Sequence, residues 1–247
     1  MRTVLIWALA LGWTLPAMAQ IDVLVAGNPH YPPFTVGAGG LAADLLAALN
    51  TNQSRFRFHL VDLPEFRIQE ALREGQVALL IFRPVGEDGV GDQGPLLLQD
   101  GNRFLARKSR VKDATFFLAA GKVETLAVTG VRYDFADQAT DEKVLRQKYH
   151  TTALEDEASV IQQIATGQGQ IGLVSSAGLD FLAVADPATR DLLSVSPVYD
   201  SQFVRAFVVS PRSPITPVAL EALVQRLSDS GKLAEVYGRY GLRPPPP

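Results

Sequence analysis

Apolar and polar positions alternate along the first third of the chain in a strand–helix–strand–helix–strand order. Continuous apolar runs at residues 21–26 and 77–82 indicate buried strands, whereas residues 56–61 alternate like a half-exposed strand. Between these runs, residues 41–49 and 66–74 have the spacing of helices. This order predicts a parallel sheet that is covered by helices on both faces.

The same order begins again in the second part of the chain, after a predicted strand at residues 102–108. Strands are expected at residues 115–118, 124–128 and 171–174, and helices at residues 141–148, 156–166 and 178–185. Residues 72–82 and 164–174 each combine the end of a helix, a glycine that stops it and a short apolar strand. The pattern therefore predicts two similar α/β lobes.

The end of the chain has a strand, a proline-rich connector and the clearest amphipathic pattern of the sequence. Residues 202–209 predict the last long strand, and residues 210–217 the connector. Helical spacing then runs to Tyr240, with a break expected at Ser230 and Gly231. The tail at residues 244–247 is all proline, so it cannot continue a helix and is predicted to be disordered.

The loop after the first strand is the strongest indication of a binding site. It contains Tyr31, Pro32, Pro33 and Phe34, and the two prolines stiffen the chain where it leaves the sheet. In open α/β sheets ligands collect beyond the carboxyl ends of the strands. The loop therefore predicts a ligand mouth that presents two aromatic rings, although an ordinary strand–loop–helix connection gives the same pattern.

Residues 1–19 have the pattern of a secretory signal. One basic residue precedes an apolar run, a helix-breaking proline and small residues, so cleavage is expected after Ala19. An uncleaved anchor is the alternative, but the apolar run is short for a membrane span. The sequence thus predicts a protein that is exported to the periplasm.

Composition and motifs exclude several classes of function. Acidic residues outnumber basic residues by 26 to 23, which argues against a nucleic-acid partner. The chain has no cysteine, so thiol catalysis, disulfides and thiolate metal sites are excluded. Its three histidines show no metal-ligand spacing, and no hydrolase, nucleotide-binding or dinucleotide-binding motif occurs in a suitable context. We therefore predict no metal, no cofactor and no catalytic residue.

Taken in order along the chain, these pieces resemble a family 3 extracellular solute-binding protein, the type that serves polar amino-acid ABC transporters. The matching pieces are the loop at residues 31–34, the helix with Asp44 and Leu45, the passages at residues 72–78 and 164–172, the strand at residues 205–209 and the helix at residues 231–237.

The resemblance implies two lobes joined by two crossing segments, near residues 103–108 and 201–207, with the ligand enclosed between the lobes. Residues 20–108 and 204–243 would form lobe 1, and residues 109–203 would form lobe 2. It also implies a monomer that captures a small polar solute by lobe closure and delivers it to a membrane permease.

Two departures from the family pattern limit what can be said of the ligand. Ser175 stands where amino-acid binders carry an aspartate for the ligand's ammonium group. The family's Thr-x-x-Arg run is replaced by Ile81-Phe82-Arg83-Pro84, in which Arg83 is a candidate substitute clamp for a carboxylate. A surface ion pair with Glu87 or Asp88 is the alternative role of Arg83. An amino acid, another anion and a neutral polar molecule therefore all remain open.

The resemblance also suggests a ligand-binding loop in the second lobe. Residues 130–134 follow a predicted strand, in the place where family members hydrogen-bond the ligand, so Arg132 and Tyr133 are candidate contacts together with Tyr31 and Phe34. An exposed surface loop is the alternative for residues 130–134.

Three other functions remain open. The first alternative is a sensing or accessory module for a membrane receptor. The second is a dehydratase of cyclic carboxylates, and the third is a member of the family that no longer binds a ligand.

Overall fold

The structure is a computed structural model that describes residues 20–28, 31–36, 39–86 and 89–246. The predicted leader at residues 1–19, the two acidic residues considered as partners of Arg83 and the last proline lie outside the described residues. No helix of the described ranges is long and apolar enough to cross a bilayer.

The strands form one eight-stranded sheet in the order β2-β1-β3-β8-β4-β7-β5-β6. The strands are β1 (Ile21–Gly27), β2 (Phe56–Asp62), β3 (Leu79–Pro84), β4 (Asp92–Arg107), β5 (Thr125–Val128), β6 (Thr151–Leu154), β7 (Ile171–Ser175) and β8 (Leu193–Val209). The helices are α1 (Leu41–Thr51), α2 (Glu65–Glu74), α3 (Glu142–Tyr149), α4 (Glu157–Thr166), α5 (Ser176–Ala185), α6 (Pro187–Asp191), α7 (Pro217–Asp229) and α8 (Lys232–Gly238).

The sheet has two parallel ends and an antiparallel centre. Strand β1 pairs in parallel with β2 and β3, and β5 pairs in parallel with β6 and β7. The long strands β4 and β8 pair antiparallel with each other; β8 also pairs with β3, and β4 with β7. The two long central strands therefore connect the two parallel ends of the sheet, which confirms the predicted fold of two mostly parallel lobes joined by two crossing segments.

Each end of the sheet has its own apolar core. The largest cluster packs one face of β1 to β3 against α1, α7 and α8, and a second cluster packs α4 against β5 and β7. Burial of each large aliphatic side chain contributes about 1.5–3 kcal/mol. Gly75 and Gly167 end α2 and α4 in the left-handed region, with φ of 76° and 86°, as the pattern predicted.

The predictions of secondary structure fail in the middle of the chain. The strand expected at residues 115–118 is wrong, because Ala114–Ala119 form a 3-10 helix that begins with a hydrogen bond from Thr115 N–H to the Asp113 side chain. Strand β6 is missed, and β4 and β8 begin well before residues 102 and 202. Both long strands contain glycine or proline, including Pro95 and Pro197, which made their first parts look like loops.

The described part of the proline tail lies against the protein. Residues 244–246 line a cavity of about 470 Å³ together with Ser176 and Asp180. The disorder expected for residues 244–247 stays a prediction.

Candidate functional site

The loop between β1 and α1 is held in a compact turn. The N–H groups of Phe34 and Thr35 donate to the carbonyl oxygen of Tyr31, at 2.9 and 3.0 Å. The N–H groups of Leu41 and Ala42, at the start of α1, donate to the carbonyls of Pro33 and Phe34, each at 2.9 Å. These bonds fix the backbone of residues 31–35 against the start of α1.

The hydroxyl of Tyr31 connects the two ends of the sheet. It donates to Oε1 of Glu157, at 3.2 Å, and accepts from a terminal nitrogen of Arg205, at 3.0 Å. Tyr31 follows β1, whereas Glu157 is the first residue of α4. One side chain therefore bridges the predicted lobes at the place where a ligand mouth was expected.

Glu157 is a buried carboxylate that receives only neutral donors among the described residues. The N–H of Ser175 donates to Oε1 and its hydroxyl donates to Oε2, both at 2.9 Å, and the whole residue is 8% exposed. Burial raises the pKa of Glu157 to about 7; the charge of Asp100 acts in the same direction, and the Ser175 bonds and Arg205 oppose it. This carboxyl group therefore changes charge near neutral pH.

A buried ion pair lies next to Glu157. Nε of Arg205 donates to Oδ2 of Asp100 at 2.7 Å, and the two side chains are 6% and 0% exposed. The Arg205 guanidinium lies 5.3, 4.7 and 4.9 Å from the ring centres of Tyr31, Phe34 and Phe203, and it also donates to a backbone carbonyl of β3. This cation is thus enclosed by three rings and a carboxylate of its own chain.

The remaining acceptor of Asp100 ties the ion pair to the start of α5. Oδ1 accepts from the hydroxyl of Ser176 at 3.0 Å, from the N–H of Ala177 at 3.2 Å and from the N–H of Gly101 at 2.8 Å. No buried side-chain nitrogen or oxygen of the described residues lacks a hydrogen-bond partner. Each buried polar side-chain atom of this network therefore has at least one partner within the described chain.

The structure brings Tyr31 and Ser175 together through Glu157, and it places two other predicted residues nearby. Phe34 is 2% exposed, with its ring centre 4.7 Å from that of Phe82, so it is a core residue beneath the loop. Arg83 is 7% exposed, and one of its terminal nitrogens donates to Oδ1 of Asn28 at 2.5 Å. The contact of each with a ligand stays a prediction.

The two candidates from the second lobe have no hydrogen bond to this network among the described residues. Tyr133 is 1% exposed, and its hydroxyl accepts from the N–H of Val128 at 3.0 Å, which makes it part of the core of that lobe. Arg132 beside it is exposed. Their ligand contacts also stay predictions.

Sequence reasoning missed Glu157, Asp100 and Arg205. The Asp156-Glu157 pair has the ordinary pattern of a helix start, and the Asp156 side chain does accept from the N–H of Ser159. Arg205 gave the one usable signal, because it is a single charge within the apolar run Phe203–Val209 and a buried charge needs a partner.

Known structures share this fold across most of the chain, although no protein-family model and no curated protein sequence matches it. The arginine-, lysine-, histidine-binding protein ArtJ from Geobacillus stearothermophilus has a TM-score of 0.67 and 17% identity, over 90% of this chain and 96% of that one. The ligand-binding core of GluR0 from Nostoc punctiforme, in complex with L-glutamate, has a TM-score of 0.66 and 16% identity, over 88% and 98%.

A third similar structure is the ancestral amino-acid-binding protein AncCDT-1, which is described as a precursor of cyclohexadienyl dehydratase. Its TM-score is 0.65 and its identity 16%, over 89% of this chain and 95% of that one. At identities this low, the structural similarity shows a shared fold and nothing further. This shared fold confirms the two-lobed architecture that the resemblance implied.

Proposed function

We propose that the protein binds a small polar solute between its two lobes and closes around it. The observation that carries this proposal is the hydrogen bond from Tyr31 to Glu157, which joins side chains of both lobes beyond the carboxyl ends of the parallel strands. The fold supports it, because ArtJ and AncCDT-1, which share it, are named as amino-acid-binding proteins.

The lobes are proposed to divide at the two long strands. Residues 20–108 and 204–243 form lobe 1 and residues 109–203 form lobe 2, so β4 and β8 carry the hinge. A solute that contacts both lobes stabilises the closed form, since its binding energy is then larger in that form.

Three of the predicted side chains are proposed to act at the solute. Tyr31 and Ser175 belong to the network around Glu157, and Arg83 ends β3 at the same edge of the sheet. The resemblance also makes Phe34, Arg132 and Tyr133 proposed contacts, although Phe34 and Tyr133 are buried in two different apolar cores.

We further propose that the protein is exported to the periplasm, loses its leader after Ala19 and acts as a monomer. Its closed form would be recognised by a membrane transporter. A sensing or accessory role without transport is the second candidate, because one similar structure is the ligand-binding core of GluR0.

Dehydration of a cyclic carboxylate is a third candidate, favoured by two observations. One similar structure is named as a precursor of a dehydratase, and a carboxyl group with a pKa of about 7 suits acid–base catalysis. Turnover of a cyclic acid by the protein, lost in Glu157→Gln, would replace binding as the proposed function.

Thermal unfolding with a panel of amino acids, organic acids and small amines tests the proposal. A solute present at roughly 100 times its dissociation constant stabilises the folded state by about 2.7 kcal/mol. In a domain of this size the midpoint then rises by roughly 5–10 °C. The proposal expects such a rise from one chemical class; an unchanged midpoint with every class would contradict it.

A further inference from the structure

A second cavity lies directly beside the bridging hydrogen bond. It has a volume of about 500 Å³, within the range of roughly 300–1,000 Å³ that is usual for small-molecule sites. Pro32 of the β1–α1 loop forms one side, and helices α4 and α5 form the others. A molecule in this cavity that reaches Pro32 would therefore contact both proposed lobes.

The walls of the cavity are mostly apolar. Ile161 and Ala165 of α4 face Phe181 and Leu182 of α5 across it. These side chains suit a hydrocarbon ring or a branched alkyl group, because the burial of apolar surface away from water is favourable.

The inner wall contains Glu157. Its Oε2 accepts one hydrogen bond from the described residues, from the Ser175 hydroxyl, although a carboxylate oxygen has room for two. Gly178 lines the same wall, and a Cβ at that position would lie 2.2 Å from Oε2. The absence of a side chain at Gly178 thus leaves Oε2 next to the cavity.

The carboxylate of Glu157 has no ion-pair partner in the buried network of the described residues. Asp100 and Arg205 form an ion pair, and Glu157 belongs to none of the ion pairs of the described residues. Two buried carboxylates and one guanidinium have a net negative charge when all are ionised. One additional positive charge, or one proton, neutralises them.

We propose that this cavity binds a small monoamine, with its ammonium group on Glu157 and an apolar body between α4 and α5. This proposal rests on the proposed function and narrows it: the solute contacts Glu157 directly, whereas Tyr31 and Ser175 hold Glu157 in place without lining the cavity. The ammonium replaces the proton that otherwise neutralises Glu157, so binding of the amine and protonation of Glu157 exclude each other.

The other groups around Glu157 keep their charge in the pH range of interest. Burial raises the pKa of Tyr31 and of Tyr133, so both stay neutral, and Arg205 stays protonated. Asp100, on β4, forms an ion pair with Arg205, and hydrogen bonds from Thr189 lower the pKa of Asp186, which also lines the cavity. A change of amine affinity between pH 5.5 and 8 therefore reports on Glu157.

Calorimetric titration of the purified protein with 2-phenylethylamine tests the proposal. The matched probes are 2-phenylethanol and 3-phenylpropionate, which are of similar size but neutral and anionic. We expect the amine to bind at least tenfold more tightly than either, because a hydrogen bond to a charged group contributes about 1.5–3 kcal/mol. Amine affinity should also be about tenfold or more lower at pH 5.5 than at pH 8.

Two variants locate the ammonium group. Glu157→Gln should bind the amine at least tenfold more weakly than the wild type, and its amine affinity should no longer depend on pH. Glu221→Gln is the control, since Glu221 is an exposed carboxylate of α7 that does not line the cavity; it should stay within threefold of the wild type. The pH profile of the wild type needs no variant, so the proposal remains testable if Glu157→Gln does not fold.

The outcomes separate this proposal from the proposed function. Equal affinity for the amine and the alcohol, unchanged affinity in Glu157→Gln, or tighter amine binding at pH 5.5 would overturn it. Binding of an amino acid or a carboxylate without any amine would overturn it while leaving solute capture supported. No binding by any compound of the thermal panel would remove support from both.

Discussion

Asp100 and Glu157 are two carboxylates in one buried network, but their partners differ. Asp100 receives the Arg205 guanidinium, two backbone N–H groups and a serine hydroxyl. Glu157 receives one backbone N–H and two hydroxyls, and no cation of the described chain. Both residues are buried, at 5% and 8% exposure, but their charges are compensated by different partners.

This difference separates a structural role from a binding role. The carboxylate of Asp100 is paired with a buried guanidinium and joins β4 to β8. A carboxylate that is buried with neutral donors retains its charge poorly, so either a proton or a ligand cation stabilises it. The Asp100 side of the cleft is therefore expected to hold the fold, and the Glu157 side to respond to pH and solute.

The largest expected effect comes from breaking the ion pair. Arg205→Met leaves Asp100 buried without its cation, which we expect to destabilise the fold by about 3–5 kcal/mol in chemical denaturation. Lys232→Met is the control, because the Lys232–Glu235 pair lies at the surface and its loss should have little measurable effect. Equal stability of Arg205→Met and the wild type would show that the pair is not a structural element.

The next largest effect is a pH dependence of the unfolding free energy, caused by the titration of Glu157. Its folded-state pKa of about 7 lies above the ordinary value of 4.5, so the folded state binds more protons than the unfolded state between these values. The wild type should therefore lose stability relative to Glu157→Gln as pH rises from about 4.5 to 7, by on the order of 3 kcal/mol.

Denaturation of both proteins at matched pH values measures this difference. Parallel stability curves, or a wild type that gains stability relative to Glu157→Gln over that window, would mean that Glu157 does not carry a raised pKa.

Removal of the bridging hydroxyl should have a smaller effect. Tyr31→Phe keeps the ring but deletes a donor to Glu157 and an acceptor for Arg205, so we expect a loss of about 2 kcal/mol in unfolding free energy. Tyr240→Phe is the control, because the Tyr240 hydroxyl contacts the partly exposed Asp44. The bridge has no energetic role if the two variants lose the same amount.

Two adjacent serines, one bonded to each carboxylate, give the smallest expected difference between the Asp100 side and the Glu157 side. Ser175 donates to Glu157 and also caps α5, whereas Ser176 donates to Asp100, which keeps its guanidinium and backbone donors. Ser175→Ala should cost about 1–2 kcal/mol and Ser176→Ala about 0.5 kcal/mol. A larger loss in Ser176→Ala, measured by thermal unfolding, would reverse the ranking of the two sides.

Much of the fold was predictable because local periodicity determines it. The alternation of residues 56–61 and the apolar run of residues 21–26 correspond to β2 and β1, and the glycines after α2 and α4 stand where these helices end. The long strands were only partly predictable, because their pairing with each other, rather than their own apolar pattern, extends them through Pro95 and Pro197.

The candidate site was less predictable because its contacts are distant in sequence. Tyr31 was found from the rigid loop that contains it, and Ser175 from the resemblance, which places it where amino-acid binders carry an aspartate. Glu157 is 126 residues from Tyr31 in the chain, and no local pattern indicates that its side chain turns toward β7. The carboxylate that seemed to be missing beside Ser175 is supplied by α4 instead.

The key property of the cleft is that Glu157 is a buried carboxylate with no ion-pair partner among the described residues. The titration of Glu157 itself is the most direct test of this property. Carbon-13 NMR of glutamate side-chain carboxyl groups, assigned with Glu157→Gln, gives the pKa of this group in the folded protein. We expect a midpoint of about 7. A midpoint near the ordinary value of 4.5 would show that Glu157 is solvated or already paired with a cation, and would contradict this account of the cleft.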